Sequence, residues 1–106
     1  MTRVQIAGDG ASYLERKVDP HDLRCVINRA TANPYPDNGE TVVDALKREA
    51  EPYGRRMAEA ALSLAARVMA PDFYGAPEEL LNGLRFRDVA YALWQKDDVK
   101  RELANV

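Results

Sequence analysis

His21 and Cys25 have the most versatile side-chain chemistry in this chain, and they stand four positions apart in a predicted helix. This spacing places an imidazole and a thiol on one helical face, where they could ligate a metal or form a nucleophile with its base. A metal site needs about three or four ligands, and the sequence contains no second histidine or cysteine. We therefore interpret His21 as a polar residue of the first turn and Cys25 as a small buried residue. The pair predicts neither catalysis nor a metal site.

Acidic side chains and a glycine turn are the other candidates for catalysis. The acids that could form an acid–base pair are Glu78, Glu79, Asp88, Asp97 and Asp98. Acids in the first turn of a helix stabilise the helix dipole, which explains Glu78 and Glu79 without catalysis. The turn at residues 8–10 lacks the later glycine and the lysine of a phosphate-binding loop. The sequence thus predicts no catalytic residue, no cofactor and no enzymatic activity.

Residues 86–104 carry the pattern that comes nearest to a known functional motif. The core positions of its two predicted helices are Val89, Ala90 and Leu93 in the first and Val99 and Leu103 in the second. In their spacing the segment resembles the two core helices of a helix-turn-helix, which implies DNA contacts from Lys96, Lys100 and Arg101. The segment departs from the motif at Trp94, where the motif favours glycine, and any amphipathic helix pair gives similar spacing. DNA binding by a helix-turn-helix-like regulator is therefore the alternative function.

Tyr35 either contacts another protein or packs back on its own domain, and the sequence leaves both interpretations open. It lies between Pro34 and Pro36 in a predicted surface loop, residues 33–39, whose fixed φ angles would hold the ring ready for docking. Tyrosine supplies contact area at low entropic cost. The predicted interaction surface consists of Tyr35, Tyr53, Met57, Leu64 and Trp94. We expect a small regulatory protein that acts by protein–protein binding.

An apolar stripe between Thr41 and Ala70 indicates the element that organises the fold. Its members recur at steps of four, four and three: Val42, Leu46, Ala50, Tyr53, Met57, Ala61, Leu64 and Val68. Because the register continues across Pro52, we predict one long Pro-kinked helix, with two nearly aligned helices as the alternative. Between Arg55 and Ala70 the stripe widens to about half of the helix circumference, more than one neighbouring helix can cover. Several helices or a second subunit must cover it, and we favour a homodimer.

Caps and breakers divide the rest of the chain into short helices. The further predicted helices cover 20 to about 32, 77–82, 86 to about 96, and a final short helix through Leu103. Residues 2–7 alternate as in a strand, and residues 4–18 form either a hairpin or a strand followed by a helical turn. The predicted fold class is all-α, with four to six helices around the long Pro-kinked helix and a candidate short β-strand at the N-terminus.

The composition limits the class of protein. A chain of 106 residues predicts one helical domain, residues 1–106, and no apolar run approaches the ~18 residues that span a bilayer. The net charge of −2 is spread along the chain, which gives no support to a nucleic acid partner. One cysteine and no signal-peptide pattern predict a soluble cytoplasmic protein. Eleven arginines against four lysines, with sixteen alanines, indicate a bacterial or phage gene.

Overall fold

Residues 17–95 are described by the computed structural model of this chain, and they form an all-α fold. The helices are α1 (Pro20–Ala30), α2 (Val42–Ala50), α3 (Arg55–Met69), α4 (Pro77–Asn82) and α5 (Phe86–Gln95). Across residues 17–95 no β-strand occurs, and the prediction of an all-α fold with four to six helices is confirmed. The predicted strand at 2–7 and the final short helix through Leu103 lie outside the described residues, as does nearly all of segment 4–18.

Local capping interactions determine where α1 and α2 begin. Asp19 precedes α1, and its Oδ1 accepts hydrogen bonds from the backbone N–H of His21 at 2.8 Å and of Asp22 at 3.1 Å. At α2 the Asp44 N–H donates to Thr41 Oγ1 at 3.1 Å, and the Thr41 N–H donates back to Asp44 Oδ2 at 3.4 Å. These side chains satisfy amides that the start of a helix leaves without partners. Both helices begin where the sequence predicts.

The predicted long Pro-kinked helix is not observed, because the chain breaks between α2 and α3. α2 ends at Ala50, a 3₁₀ turn covers Glu51–Tyr53, and Gly54 follows with φ 102° and ψ 177°. Essentially only glycine adopts that pair of angles, so the break lies at Gly54, while Pro52 lies within the 3₁₀ turn. The stripe is interrupted at the same place, since Tyr53 is 39% exposed.

α3 is the central helix of the described fold and contacts each of the other four helices. Its buried residues are Met57, Ala60, Ala61, Leu62, Leu64, Ala65 and Ala66. They belong to a hydrophobic core to which α1, α2, α4 and α5 also contribute. Alanine allows the close approach that so many neighbours require. The wide apolar arc of α3 is thus covered within one chain, and its width no longer argues for a second subunit.

Two members of the predicted interaction surface lie in this core, and we correct their assignment. Met57 is 3% exposed and Leu64 is 1% exposed. Both lie on the face of α3 that packs against its neighbouring helices, so a folded partner cannot reach them. Tyr35, Tyr53 and the partly buried Trp94 remain accessible. Among the described residues Tyr53 makes no ring contact or hydrogen bond with the other two, so it is not part of the same surface.

Candidate functional site

Tyr35 lies in the connection between α1 and α2, where the backbone restrains it. The Tyr35 N–H donates to Asn33 Oδ1 at 3.0 Å, and prolines at 34 and 36 fix the φ angles on either side. Further along the loop, Gly39 has φ 76° and the Glu40 N–H donates to Asn38 Oδ1 at 3.0 Å. Tyr35 nevertheless remains 57% exposed. The loop therefore presents a large aromatic ring to solvent from a fixed backbone.

Three aromatic side chains from this loop and from α5 form a continuous set that we call the aromatic ladder: Tyr35, Tyr91 and Trp94. The ring centroids of Tyr35 and Tyr91 lie 6.3 Å apart with an interplanar angle of 71°. Those of Tyr91 and Trp94 lie 6.1 Å apart at 73°. Both are edge-to-face contacts, the arrangement that aromatic quadrupoles favour. The Tyr91 hydroxyl also donates to the Tyr35 hydroxyl at 3.0 Å.

Trp94 anchors the inner end of the ladder to the end of α1. Its Nε1–H donates to Thr31 Oγ1 at 2.9 Å. Thr31 is fully buried, and its hydroxyl donates in turn to the Ile27 carbonyl at 2.7 Å. A buried hydroxyl with both bonds made is strongly held in place. Trp94 therefore supports the exposed tyrosines and is not itself the most exposed contact residue.

Arg87 adds a positive charge beside the exposed end of the ladder. Its guanidinium carbon lies 5.9 Å from the centroid of the Tyr35 ring, within the range of a cation–π contact. No ion pair links Arg87 to any residue of the described range 17–95. The neighbouring Arg85 differs, because its Nε contacts Asp88 Oδ2 at 3.1 Å. The charge of Arg87 is therefore available to a partner.

A groove opens between the Tyr35 loop and the start of α5, and we call it the aromatic groove. Its volume is about 270 Å³. It is lined by Pro34, Tyr35, Pro36, Gly39, Glu40, Arg85, Phe86 and Arg87. Glu40 contributes little free negative charge, because both of its carboxylate oxygens accept bonds from Arg48 at 3.0 Å. The groove thus combines apolar walls with an excess of positive charge.

No family model matches this chain, and neither curated proteins nor solved structures give a significant match. Among the described residues no helix has both the length and the apolar character needed to cross a membrane. A function must therefore be argued from the surface of the molecule itself.

The connection between α3 and α4 carries a second exposed aromatic pair, which we call the aromatic loop, residues 71–76. Tyr74 is 95% exposed and Phe73 is 40% exposed. The Phe73 ring lies over Gly75, where an added Cβ would come within 2.4 Å of a ring carbon. Gly75 therefore permits the folded-back position of Phe73 and leaves Tyr74 projecting. Sequence reasoning interpreted this segment only as a helix terminator.

Other clusters of polar residues have simpler explanations. A depression of about 530 Å³ at the α2–α3 junction is open, and its basic side chains are engaged with acids: Lys47 with Glu78, Arg48 with Glu40 and Glu49, and Arg55 with Glu59. Exposed pairs of this kind are typical of a solvated surface. His21 Nε2 lies 3.6 Å from Cys25 Sγ. Within residues 17–95 no three His, Cys, Asp or Glu side chains come together as metal ligands.

The hydrogen bond between the Tyr91 and Tyr35 hydroxyls leads to a prediction about the titration of Tyr91. The hydrogen bond to Tyr35 raises the pKa of Tyr91 above its usual range, with smaller contributions from desolvation and from the nearby Tyr35, while Arg87 acts in the opposite direction. The protonated form is favoured in the folded state, so this contact stabilises the fold below the ordinary tyrosine pKa of about 10 and is lost as the pH rises through the raised value.

We expect the tyrosinate absorbance of the folded chain to include a late step from Tyr91. Tyr91→Phe should remove that step, and Tyr35→Phe should move it towards the usual tyrosine range, because it deletes the accepting oxygen. Tyr53→Phe is the matched control and should leave the late step in place. A wild-type curve without a late step would contradict the hydrogen bond between the Tyr91 and Tyr35 hydroxyls.

Proposed function

We propose that this chain is a small regulatory protein of bacterial or phage type, located in the cytoplasm, that acts by binding proteins through its aromatic groove and also forms a homodimer. The observation that carries this proposal is Tyr35, which is 57% exposed yet held by Asn33, by the Tyr91 hydroxyl and by the Arg87 guanidinium. Fixing a side chain before binding reduces the entropy that the complex must lose. The single cysteine and the arginine-rich composition support the location and the origin.

The chemistry of the groove favours a protein over a small molecule. Tyrosine, tryptophan and arginine are the residue types that most often dominate the binding energy of protein interfaces. The groove volume of about 270 Å³ lies below the roughly 300–1,000 Å³ of typical ligand pockets. A groove of this size accommodates one or two side chains of a partner and leaves the rest of the contact on the surrounding surface.

The structure offers less support for the alternative, a helix-turn-helix-like DNA-binding regulator formed by residues 86–104. Its candidate DNA contacts Lys96, Lys100 and Arg101 lie outside the described residues. The sequence places Asp97 beside them, whose carboxylate would repel phosphate. In α5, which would be the first helix of the motif, Trp94 is fixed to the end of α1.

Self-association and DNA binding can be separated by one set of measurements. We expect sedimentation equilibrium to show a homodimer with a dissociation constant in the micromolar range that depends on salt far less steeply than phosphate-driven DNA binding does. A single monomeric species at ~100 µM, far above that constant, would refute the homodimer. Saturable DNA binding tighter than ~0.1 µM that is lost in Lys100→Ala plus Arg101→Ala would instead establish the alternative.

Binding of other proteins is tested by comparative capture from a lysate of the source cells. Wild-type chain, Tyr35→Ala and Tyr53→Ala are immobilised at equal density, and the retained proteins are quantified by mass spectrometry. We expect specific protein partners to be retained by the wild type and by Tyr53→Ala and to be lost with Tyr35→Ala. Identical retention by all three would contradict a role for the aromatic groove, since Tyr53 is exposed but lies outside it.

A further inference from the structure

The aromatic loop carries a projecting tyrosine and an acidic residue, whereas the aromatic groove has apolar walls and the guanidinium of Arg87. We infer that the aromatic loop of one copy of this chain docks into the aromatic groove of a second copy. This inference rests on the proposed homodimer and names its contact. The two surfaces are separate on the chain: the depression beside the aromatic loop involves α3 residues such as Ser63 and Ala66, and it shares no lining residue with the groove.

The aromatic loop has the form of an inserting element. Tyr74 is the most exposed large hydrophobic residue of the described chain, at 95%, and Phe73 beside it is 40% exposed. The Phe73 N–H donates to the Ala70 carbonyl at 3.0 Å, and prolines at 71 and 77 restrain both ends of the loop. An aromatic ring that is held outward by a restrained backbone is the form expected of an anchor that enters a neighbouring pocket.

The opposite charges of the aromatic loop and the aromatic groove favour a second copy of this chain as the partner. Asp72 precedes the exposed aromatic pair, and within residues 17–95 it has no ion-pair partner. The groove offers the guanidinium of Arg87, which also lacks an ion pair in that range. Docking Tyr74 against Tyr35 would bring the carboxylate and the guanidinium together at the edge of the contact. A pair of this type gives orientation and specificity as well as affinity.

The size of the contact is sufficient for a weak, specific dimer. An aromatic side chain buries about 150–250 Å² when fully covered, and a two-fold dimer makes the same contact twice. Counted over both partners, two such contacts bury about 600–1,000 Å², which is the size of a weak or transient interface. The expected affinity is accordingly micromolar. The groove of about 270 Å³ accepts one aromatic ring of the loop.

A charge-exchange experiment tests the inference with two surface variants. Asp72→Arg alone would place two arginines in each contact of its homodimer, and Arg87→Asp alone would place two acids there. We expect each variant by itself to weaken self-association at least about tenfold in sedimentation velocity. An equimolar mixture of the two variants has one opposite-charge pair in each contact of the mixed dimer. We expect that mixed dimer to regain an affinity within about threefold of the wild type.

The aromatic contribution is measured in parallel. Tyr74→Ala should weaken the dimer at least about tenfold, whereas Tyr53→Ala should leave its dissociation constant unchanged, because Tyr53 belongs to neither surface. Circular dichroism before each run confirms that every variant is folded. If the wild type dimerises and the charge variants dimerise equally well, this contact is refuted while the proposed homodimer stands. If the wild type is monomeric at ~100 µM, both are refuted.

Discussion

Replacing Leu64 with alanine is expected to lower the free energy of unfolding by about 2–5 kcal/mol. Leu64 is 1% exposed on α3, which contacts every other described helix. The substitution loses the transfer free energy of the removed methyl groups, and the surrounding helices cannot fully collapse into the cavity. Urea denaturation followed by far-ultraviolet circular dichroism would measure the change, at a protein concentration low enough for the chain to be monomeric.

The matched control is Arg56→Ala, an exposed substitution on the same helix. We expect it to change the free energy of unfolding by less than about 0.5 kcal/mol. This pair of variants distinguishes a core role for Leu64 from the interface role that the sequence suggested. If Leu64→Ala leaves the urea midpoint of unfolding unchanged and weakens self-association, then Leu64 lies at an interface and not in the core.

Local signals made much of this fold predictable. Asp19 at α1 and the pair of Thr41 and Asp44 at α2 accept hydrogen bonds from backbone amides within three residues. Pro20 and Pro77 occupy the first position of α1 and α4, where the missing N–H costs no hydrogen bond. Such interactions do not depend on the tertiary structure, so the sequence alone locates the helix starts. The same reasoning correctly identified residues 33–39 as a non-helical loop.

The partners of α3 were not predictable from periodicity. An apolar stripe shows that a face is buried, but it does not show whether a neighbouring helix or a second chain covers that face. The described helices of one chain cover most of the arc, which places Met57 and Leu64 in the core. The stripe also continued through Tyr53, although the backbone breaks next to it, because the spacing of side chains does not reveal a single positive φ angle.

The candidate site was partly visible in the sequence. Tyr35 stood out because prolines flank it, but its contacts with Tyr91 and Arg87 join segments more than 50 residues apart in the chain. Only the packing of the Tyr35 loop against α5 creates them. Tyr91 precedes Trp94 by three positions and therefore shares a helical face with it, a signal that was available. Tyr74 also lies between two prolines, Pro71 and Pro77, but each is three residues away and the sequence alone gave no reason to expect an exposed ring there.

The second large effect on the free energy of unfolding is expected at the break between α2 and α3. Gly54→Ala is expected to destabilise the fold by about 1–3 kcal/mol, because an L-residue is strained at positive φ with extended ψ. An added Cβ at Gly54 meets no atom within 4 Å, so backbone strain alone produces this loss. Pro52→Ala should cost less than about 1 kcal/mol and should not join the helices, since the break does not depend on the proline ring.

Gly83→Ala is the matched control for Gly54→Ala. Gly83 has φ −87° and ψ 0°, and a Cβ there would make ordinary contact with the Leu80 carbonyl oxygen at 3.5 Å. We expect Gly83→Ala to leave the free energy of unfolding within about 1 kcal/mol of the wild type. Equal effects of the two substitutions in urea denaturation, or a gain of helical signal in Gly54→Ala, would mean that α2 and α3 form one continuous helix in solution. A selective loss at Gly54 would show that a single glycine, and not Pro52, divides the apolar stripe into two helices that pack into one core.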